Sequence, residues 1–93
     1  MSLTFEWDEA KADANFKKHG VKFDEAKTIF NDPYSITIND IQHSNSENRY
    51  IDLGSSSKGR ILVVVYTERK SNIRIISSRN AINAERRKYE EKF

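Results

Sequence analysis

Ninety-three residues leave room for one small hydrophobic core, so a single domain over residues 1–93 is expected. With 37% apolar and 32% charged residues, that core is thin and the surface heavily charged, and a partner that buries more surface would widen the stability margin. The lack of cysteine excludes disulfides and thiolate metal sites, and no His/carboxylate cluster has ligand spacing, so neither a metal nor another cofactor is expected. Met1 to Asp8 has neither the basic start nor the apolar stretch of a signal peptide, and the longest apolar run, Ile61 to Tyr66, is too short to span a bilayer. A cytoplasmic protein without membrane contact is expected. The net charge of +2 hides an asymmetry. Residues 1–48 hold five lysines against nine carboxylates, a net of −4, whereas residues 49–93 hold eleven Lys/Arg against five carboxylates, a net of +6. Seven of those eleven are arginines, whose planar donors suit phosphate. The second half therefore suits a polyanion, although a solvated basic helix with ordinary surface charge explains it equally well.

In chain order, Leu3 to Trp7 is short and apolar, an extended entry that packs its aromatics. Asp8 is a good N-cap for a helix to about Lys18, with Glu9 at its positive end, Lys17, Lys18 and His19 at its negative end, and Gly20 for a left-handed stop. Phe23, Ala26 and Phe30 share one face of a second helix, Phe23 to Phe30, which Asn31-Asp32-Pro33 ends. Four strands follow: Tyr34–Asn39, Arg49–Gly54, Arg60–Glu68 and Asn72–Ser78. Short turn-rich links predict an antiparallel meander. Alternation predicts an apolar face of Tyr34, Ile36, Ile38, Ile51, Leu53, Ile61, Val63, Val65, Ile73 and Ile75 beneath the helices. The opposite, wet face would carry Ser35, Thr37, Asn39, Tyr50, Asp52, Tyr66, Arg74 and Ser78, diluted by Leu62, Val64 and Ile76. A basic helix from Asn83 or earlier to about Lys92 closes an α+β domain of two helices, four strands and one helix.

Phe5-Glu6-Trp7-Asp8, Lys11, Asn15, Lys18-His19-Gly20-Val21, Phe23, Glu25-Ala26 and Phe30-x-Asp32-Pro33 form an ordered set of blocks. His43, Glu47, Arg49, Gly54, the run Gly59 to Arg69, Ile73 to Ser77, Arg79, Ala81, Glu85-Arg86 and Tyr89-Glu90 continue it. Together they resemble the BrnT family over roughly Phe5 to Glu91, and the ordered set is far more specific than any single block. Two positions depart from that pattern: Lys22 stands where the family usually has Ser and Ile82 where it often has Thr, which weakens two helix caps and touches no chemistry. The resemblance implies a RelE-like fold and a ribonuclease toxin. It also implies neutralisation by a BrnA-like antitoxin whose ribbon-helix-helix region binds DNA, so that DNA is reached only through the antitoxin. Self-association is left open.

RNA cleavage without metal needs a base for the 2′-hydroxyl proton, an acid for the leaving oxygen and cations for the phosphorane. The catalytic candidates are His43, Glu47, Arg74 and Arg79. His43 lies in the polar connection Asp40–Asn48, where a lone histidine is ordinary surface and only the resemblance raises it. His19, the second histidine, suits the end of its helix better. Arg74, between Ile73 and Ile75, must face away from the apolar side, either paired with Asp52 or Glu68 or kept for a ligand. Arg79 follows on the same strand. Arg49, Tyr66, Arg69 and Arg86 are the candidates for RNA binding; Glu47 with Arg49 also makes a simple ion pair, and the run Arg86-Arg87-Lys88 a solvated helix face. Tyr89, four residues before Phe93, reads as core. The competing reading is a non-catalytic module that only partners a DNA-binding antitoxin in an autorepressor complex. Arg74 and Arg79 locked in buried ion pairs would favour it; an open site would favour the enzyme.

Overall fold

The computed structural model describes residues 3–39 and 48–91. Its elements are β1 (Thr4–Glu6), α1 (Glu9–His19), α2 (Phe23–Ala26), a 3-10 turn (Lys27–Asn31), β2 (Ile36–Asn39), β3 (Arg49–Ser55), β4 (Ile61–Arg69), β5 (Asn72–Asn80) and α3 (Asn83–Glu90). Local chemistry sets the ends of α1. Asp8 Oδ1 accepts the backbone N–H groups of Ala10 and Lys11 at 2.8 and 3.1 Å, and Gly20, at φ 71°, closes the helix onto Phe16 O. Lys22 provides no side-chain cap, and the second helix is one α-turn that tightens into a 3-10 turn.

The sheet has five strands in the order β1-β5-β4-β3-β2, not four. Strands β2 to β5 form the expected antiparallel meander, but the entry segment adds β1 parallel to β5, so the sheet is mixed. Three residues with alternating Thr4, Phe5 and Glu6 suffice for this because β5 offers them a free edge. Where β1 runs out, α1 takes over that edge. Buried Asn15 accepts Ser78 N–H through Oδ1 at 3.1 Å, and its Nδ2 reaches Ser78 O and Val21 O at 2.9 and 3.0 Å. One side chain thus completes the hydrogen bonding of a strand that has lost its neighbour.

The faces of β3 and β4 are the reverse of the expected ones. On the helix side, Val21 of the α1–α2 link, Phe23 and Ala26 of α2 and Ile29 of the 3-10 turn cover Leu62, Val64, Tyr66, Ile73 and Ile75, with Ala12 of α1 packed against them. Tyr50, Asp52 and Ser78, expected on a wet face, lie on this side as well. The predicted apolar residues Leu53 and Val63, with Ile36, Ile51 and Ile61, lie on the far side, where Tyr89 of α3 packs against them. The physical reason is a register shift. Val64 faces Ser78 and Tyr66 faces Ile75, so β5 holds one extra residue where β4 advances by two. That bulge puts Ile73 and Ile75 on the same side as Tyr66, and simple alternation fails across it.

Polar ties fix the helices to the sheet ends. Buried Glu25 receives Ser56 Oγ–H at 2.6 Å and two donors from Arg60, which tether α2 to the β3–β4 turn. Asp32 accepts Tyr34 N–H at 3.0 Å, Ser55 N–H at 2.8 Å and the Tyr89 hydroxyl, linking the 3-10 turn, β3 and α3. Gly54 allows that approach, since a Cβ there would stand 3.2 Å from Ile29 and Ser35. Among the described residues, no helix is long and apolar enough to cross a membrane.

Candidate functional site

The far face of the sheet, away from α1 and α2, is where charged side chains gather. Arg49, Thr67, Arg74 and Glu6 stand directly opposite one another on β3, β4, β5 and β1. They form one row across four strands, held by backbone pairing rather than by loop geometry. The next row is apolar, Ile38–Ile51–Val65, and the one beyond it, Ile36–Leu53–Val63–Arg79, runs under α3. By alternation with Thr67, Arg69 extends the charged end of this face at the last position of β4.

Arg74 carries a loose contact. Its Nη1 lies 3.7 Å from Glu6 Oε2, with the two side chains 29% and 38% exposed. Arg79 is held more firmly: its two terminal nitrogens donate to the two oxygens of Glu85, each at 2.8 Å. The Arg79 guanidinium beside it holds the Glu85 carboxyl below the usual carboxylate range, and hydrogen bonding to Glu85 raises Arg79. Glu85 also accepts the backbone N–H of Ile82 at 2.9 Å, so half of a capping box survives although Ile82 has no side-chain acceptor. Arg79 and Arg74 sit two rows apart, roughly 13 Å along the strand.

Of the other expected site residues, His43 and Glu47 lie outside the described residues. Arg49 is half-buried at the start of β3, and Arg69 and Arg86 are exposed, Arg86 on the outside of α3. Tyr66 is not on the arginine-bearing face. It is 4% exposed beneath the helices, edge-on to Phe30 at 4.9 Å and stacked on Tyr50 at 5.6 Å. Its hydroxyl donates to Asp52 Oδ1 at 2.8 Å. Burial pushes the Tyr66 phenol up, the Asp52 hydrogen bond reinforces the shift, and burial likewise raises the Asp52 carboxyl. The bulge is the reason for the misplacement: a core Tyr66 cannot stack on a base at the far face. Tyr89 is core as expected, with its hydroxyl raised to about 12, first by burial and then by Asp32.

Two residues escaped sequence reasoning. Glu6, the partner of Arg74, is visible only once β1 is known to join the sheet. Thr67, between Arg49 and Arg74, follows from the parity of Tyr66: if that ring is core, the next residue must face the arginines.

A small α+β domain with a cationic, partly open sheet face beside a short C-terminal helix is the class these features define. The family model "Ribonuclease toxin, BrnT, of type II toxin-antitoxin system" matches residues 7–85, and the chain belongs to this family. Membership carries an antitoxin partner with it. The 1.1 Å crystal structure of the Brucella abortus ribonuclease toxin, BrnT, is similar in fold, with a TM-score of 0.68 and 21% identity over 88% of this chain and 100% of that one. No curated protein sequence matches the chain.

Proposed function

We propose that this chain cleaves RNA without a metal ion, using the Arg49–Thr67–Arg74 face to hold the scissile phosphate. The single observation that carries this reading is the row itself, in which Arg74 is fixed by strand pairing and bound only loosely, at 3.7 Å, to a partly exposed carboxylate. In the step proposed, the RNA 2′-oxygen attacks phosphorus as it loses its proton, and the 5′-oxygen leaves with a proton. A 2′,3′-cyclic phosphate remains. Guanidinium groups stabilise the phosphorane charge, and His43 and Glu47 are the proposed proton carriers. The described flanks of their segment, Asn39 and Arg49, lie at the same sheet end as Thr67 and Arg74, which supports that assignment. Arg69 and Arg86 are proposed to track the backbone on either side.

The antitoxin is proposed to be BrnA-like and to bring DNA contact with it, and the β2–β5 meander with its flanking helices supports kinship with RelE-type ribonucleases. A second reading, a binding module without catalysis, draws on one observation: Arg79 already spends both terminal nitrogens on Glu85. Incubation of the purified protein with RNA, with and without EDTA, tests the proposal. Cleavage that persists in chelator and leaves cyclic or 3′-phosphate ends is the expected result. Activity abolished by EDTA and restored by magnesium would overturn it, and no cleavage under any condition would favour the binding module.

A further inference from the structure

At the centre of the arginine row, Thr67 is 3% exposed and its Oγ1 has no hydrogen-bond partner among the described residues. A buried hydroxyl left unpaired destabilises a fold, and few native ones are left so without a use. Valine has the same shape, suits a strand at least as well and brings no polar atom to bury. A threonine in this place is accounted for if its hydroxyl meets a ligand that arrives from outside.

The neighbours indicate what arrives. Arg49 and Arg74 stand directly opposite Thr67 on either side. Adjacent strands lie about 4.8 Å apart, so the two arginine backbones are separated by roughly 9.6 Å with the hydroxyl midway. A tetrahedral phosphate centred over Thr67 accepts a donor from below and guanidinium donors from both flanks. A planar carboxylate, with two oxygens in one plane, matches that three-way set less well.

From this we infer that Thr67, Arg49 and Arg74 build a phosphate subsite, in which the Thr67 Oγ–H donates to one non-bridging oxygen and the arginines grip the others. Glu6 holds Arg74 in the absence of the ligand and yields it to the phosphate. Thr67 acts as a positioning residue: it sets where the phosphorus stands and moves no proton. The inference rests on the ribonuclease reading for its ligand, but its test does not depend on cleavage.

Binding of inorganic phosphate and of a fully 2′-O-methylated, uncleavable RNA oligonucleotide is measured by calorimetry for wild type, Thr67→Val and Thr67→Ser, with melting temperatures alongside. Thr67→Val is expected to weaken both probes about 10-fold or more, the scale of one hydrogen bond to a charged group. Its melting temperature should stay level or rise, and Thr67→Ser should retain binding. A Val variant that binds like wild type overturns the subsite and leaves the ribonuclease reading standing. A Val variant that is strongly destabilised also overturns it, since the hydroxyl then has an internal partner. Thr67-dependent phosphate binding by a protein that cuts no RNA keeps the subsite and removes the nuclease. Wild type that binds neither probe removes the subsite outright.

Discussion

Replacing Arg74 by alanine separates the chemistry of the sheet face from its stability. Among the described residues the side chain's one ion pair is with Glu6, 3.7 Å away, and both groups are about a third exposed. Such pairs contribute roughly 0.2–1 kcal/mol, screened by salt, and the guanidinium stem adds a little packing. Arg74→Ala should therefore cost no more than about 1 kcal/mol, or a fall in melting temperature of less than about 8 °C for a domain of this size. Loss of a donor to the phosphorane, by contrast, lowers cleavage ~100-fold, equivalent to about 2.7 kcal/mol of transition-state stabilisation. Arg74→Lys should recover part of this, because an ammonium cannot reproduce a two-donor grip. Glu6→Gln is the matching control: it frees the guanidinium of its carboxylate and should leave RNA binding unchanged or tighter. Melting curves and initial cleavage rates on one set of preparations provide the readout. An Ala variant several kcal/mol less stable, whose folded fraction cuts RNA at the wild-type rate, would refute the assignment and return Arg74 to the fold.

Three further perturbations probe what holds the site in place. Arg79→Ala and Glu85→Ala should each cost about 1 kcal/mol, discounted for exposure, and the double variant should cost little more than either alone; both should lower cleavage far less than Arg74→Ala, and fully additive costs in a double-mutant cycle would show that the pair is not coupled. Asn15→Ala strips partners from the buried backbone of Ser78 and from Val21 O, so urea denaturation should register a loss of about 2–4 kcal/mol; a value within about 0.5 kcal/mol of wild type would mean that the edge of β5 needs no such mimic. Acid should destabilise the protein. Glu25 and Glu85 are held below their ordinary 4.5 mainly by Arg60 and Arg79, and Asp32 lies below its ordinary 3.8 because hydrogen bonds from Tyr89, Ser55 and Tyr34 outweigh its burial. Groups depressed in this way stabilise fully above those ordinary values and lose that contribution as pH falls through the folded ones. Asp52 has the opposite sign, raised by burial, so Asp52→Asn should stabilise the protein at neutral pH while keeping an acceptor for Tyr66; a destabilised Asn variant at pH 7 would contradict this.

The helices were legible because their signals are local. Asp8, Gly20 and Asp32-Pro33 act within a turn of the chain, and each stands where the sequence puts an end. The β3–β4–β5 part of the meander was legible because its two links are short, and in the tight β4–β5 turn Lys70 takes a positive φ of 56°. The face assignment was not legible, and the reason lies in one run of residues. Ile61-Leu62-Val63-Val64-Val65 has no polar member, so it fits either parity and records nothing about which side the helices cover. The parity had to be borrowed from β5, where Ile73 and Ile75 flank Arg74, and carried back across a bulge that nothing in Ile76-Ser77-Ser78 announces.

That difference separates the site residues that kept their place from the one that did not. Arg74 was placed by its own neighbours: two isoleucines on one strand point it the other way, whatever happens at the bulge. Tyr66 was placed by alternation along a strand of uniform polarity, and one extra residue in its partner moved it to the core. The same displacement explains how Thr67 came to matter. Once Tyr66 turns inward to Asp52 and Phe30, the following residue must turn outward between Arg49 and Arg74. The bulge thus does two things at once. It closes an aromatic core under the helices, and it places a buried hydroxyl in register with two arginines on the far face. A variant that deleted Ile76 or Ser77 would remove the extra residue, and with the pairing held at Val64–Ser78 it would exchange Arg74 with its isoleucine neighbours across the sheet. Such a protein should lose both the core and the arginine row, so its unfolding and its loss of RNA binding should occur together; a folded, stable deletion variant with full activity would mean that the bulge is incidental to both.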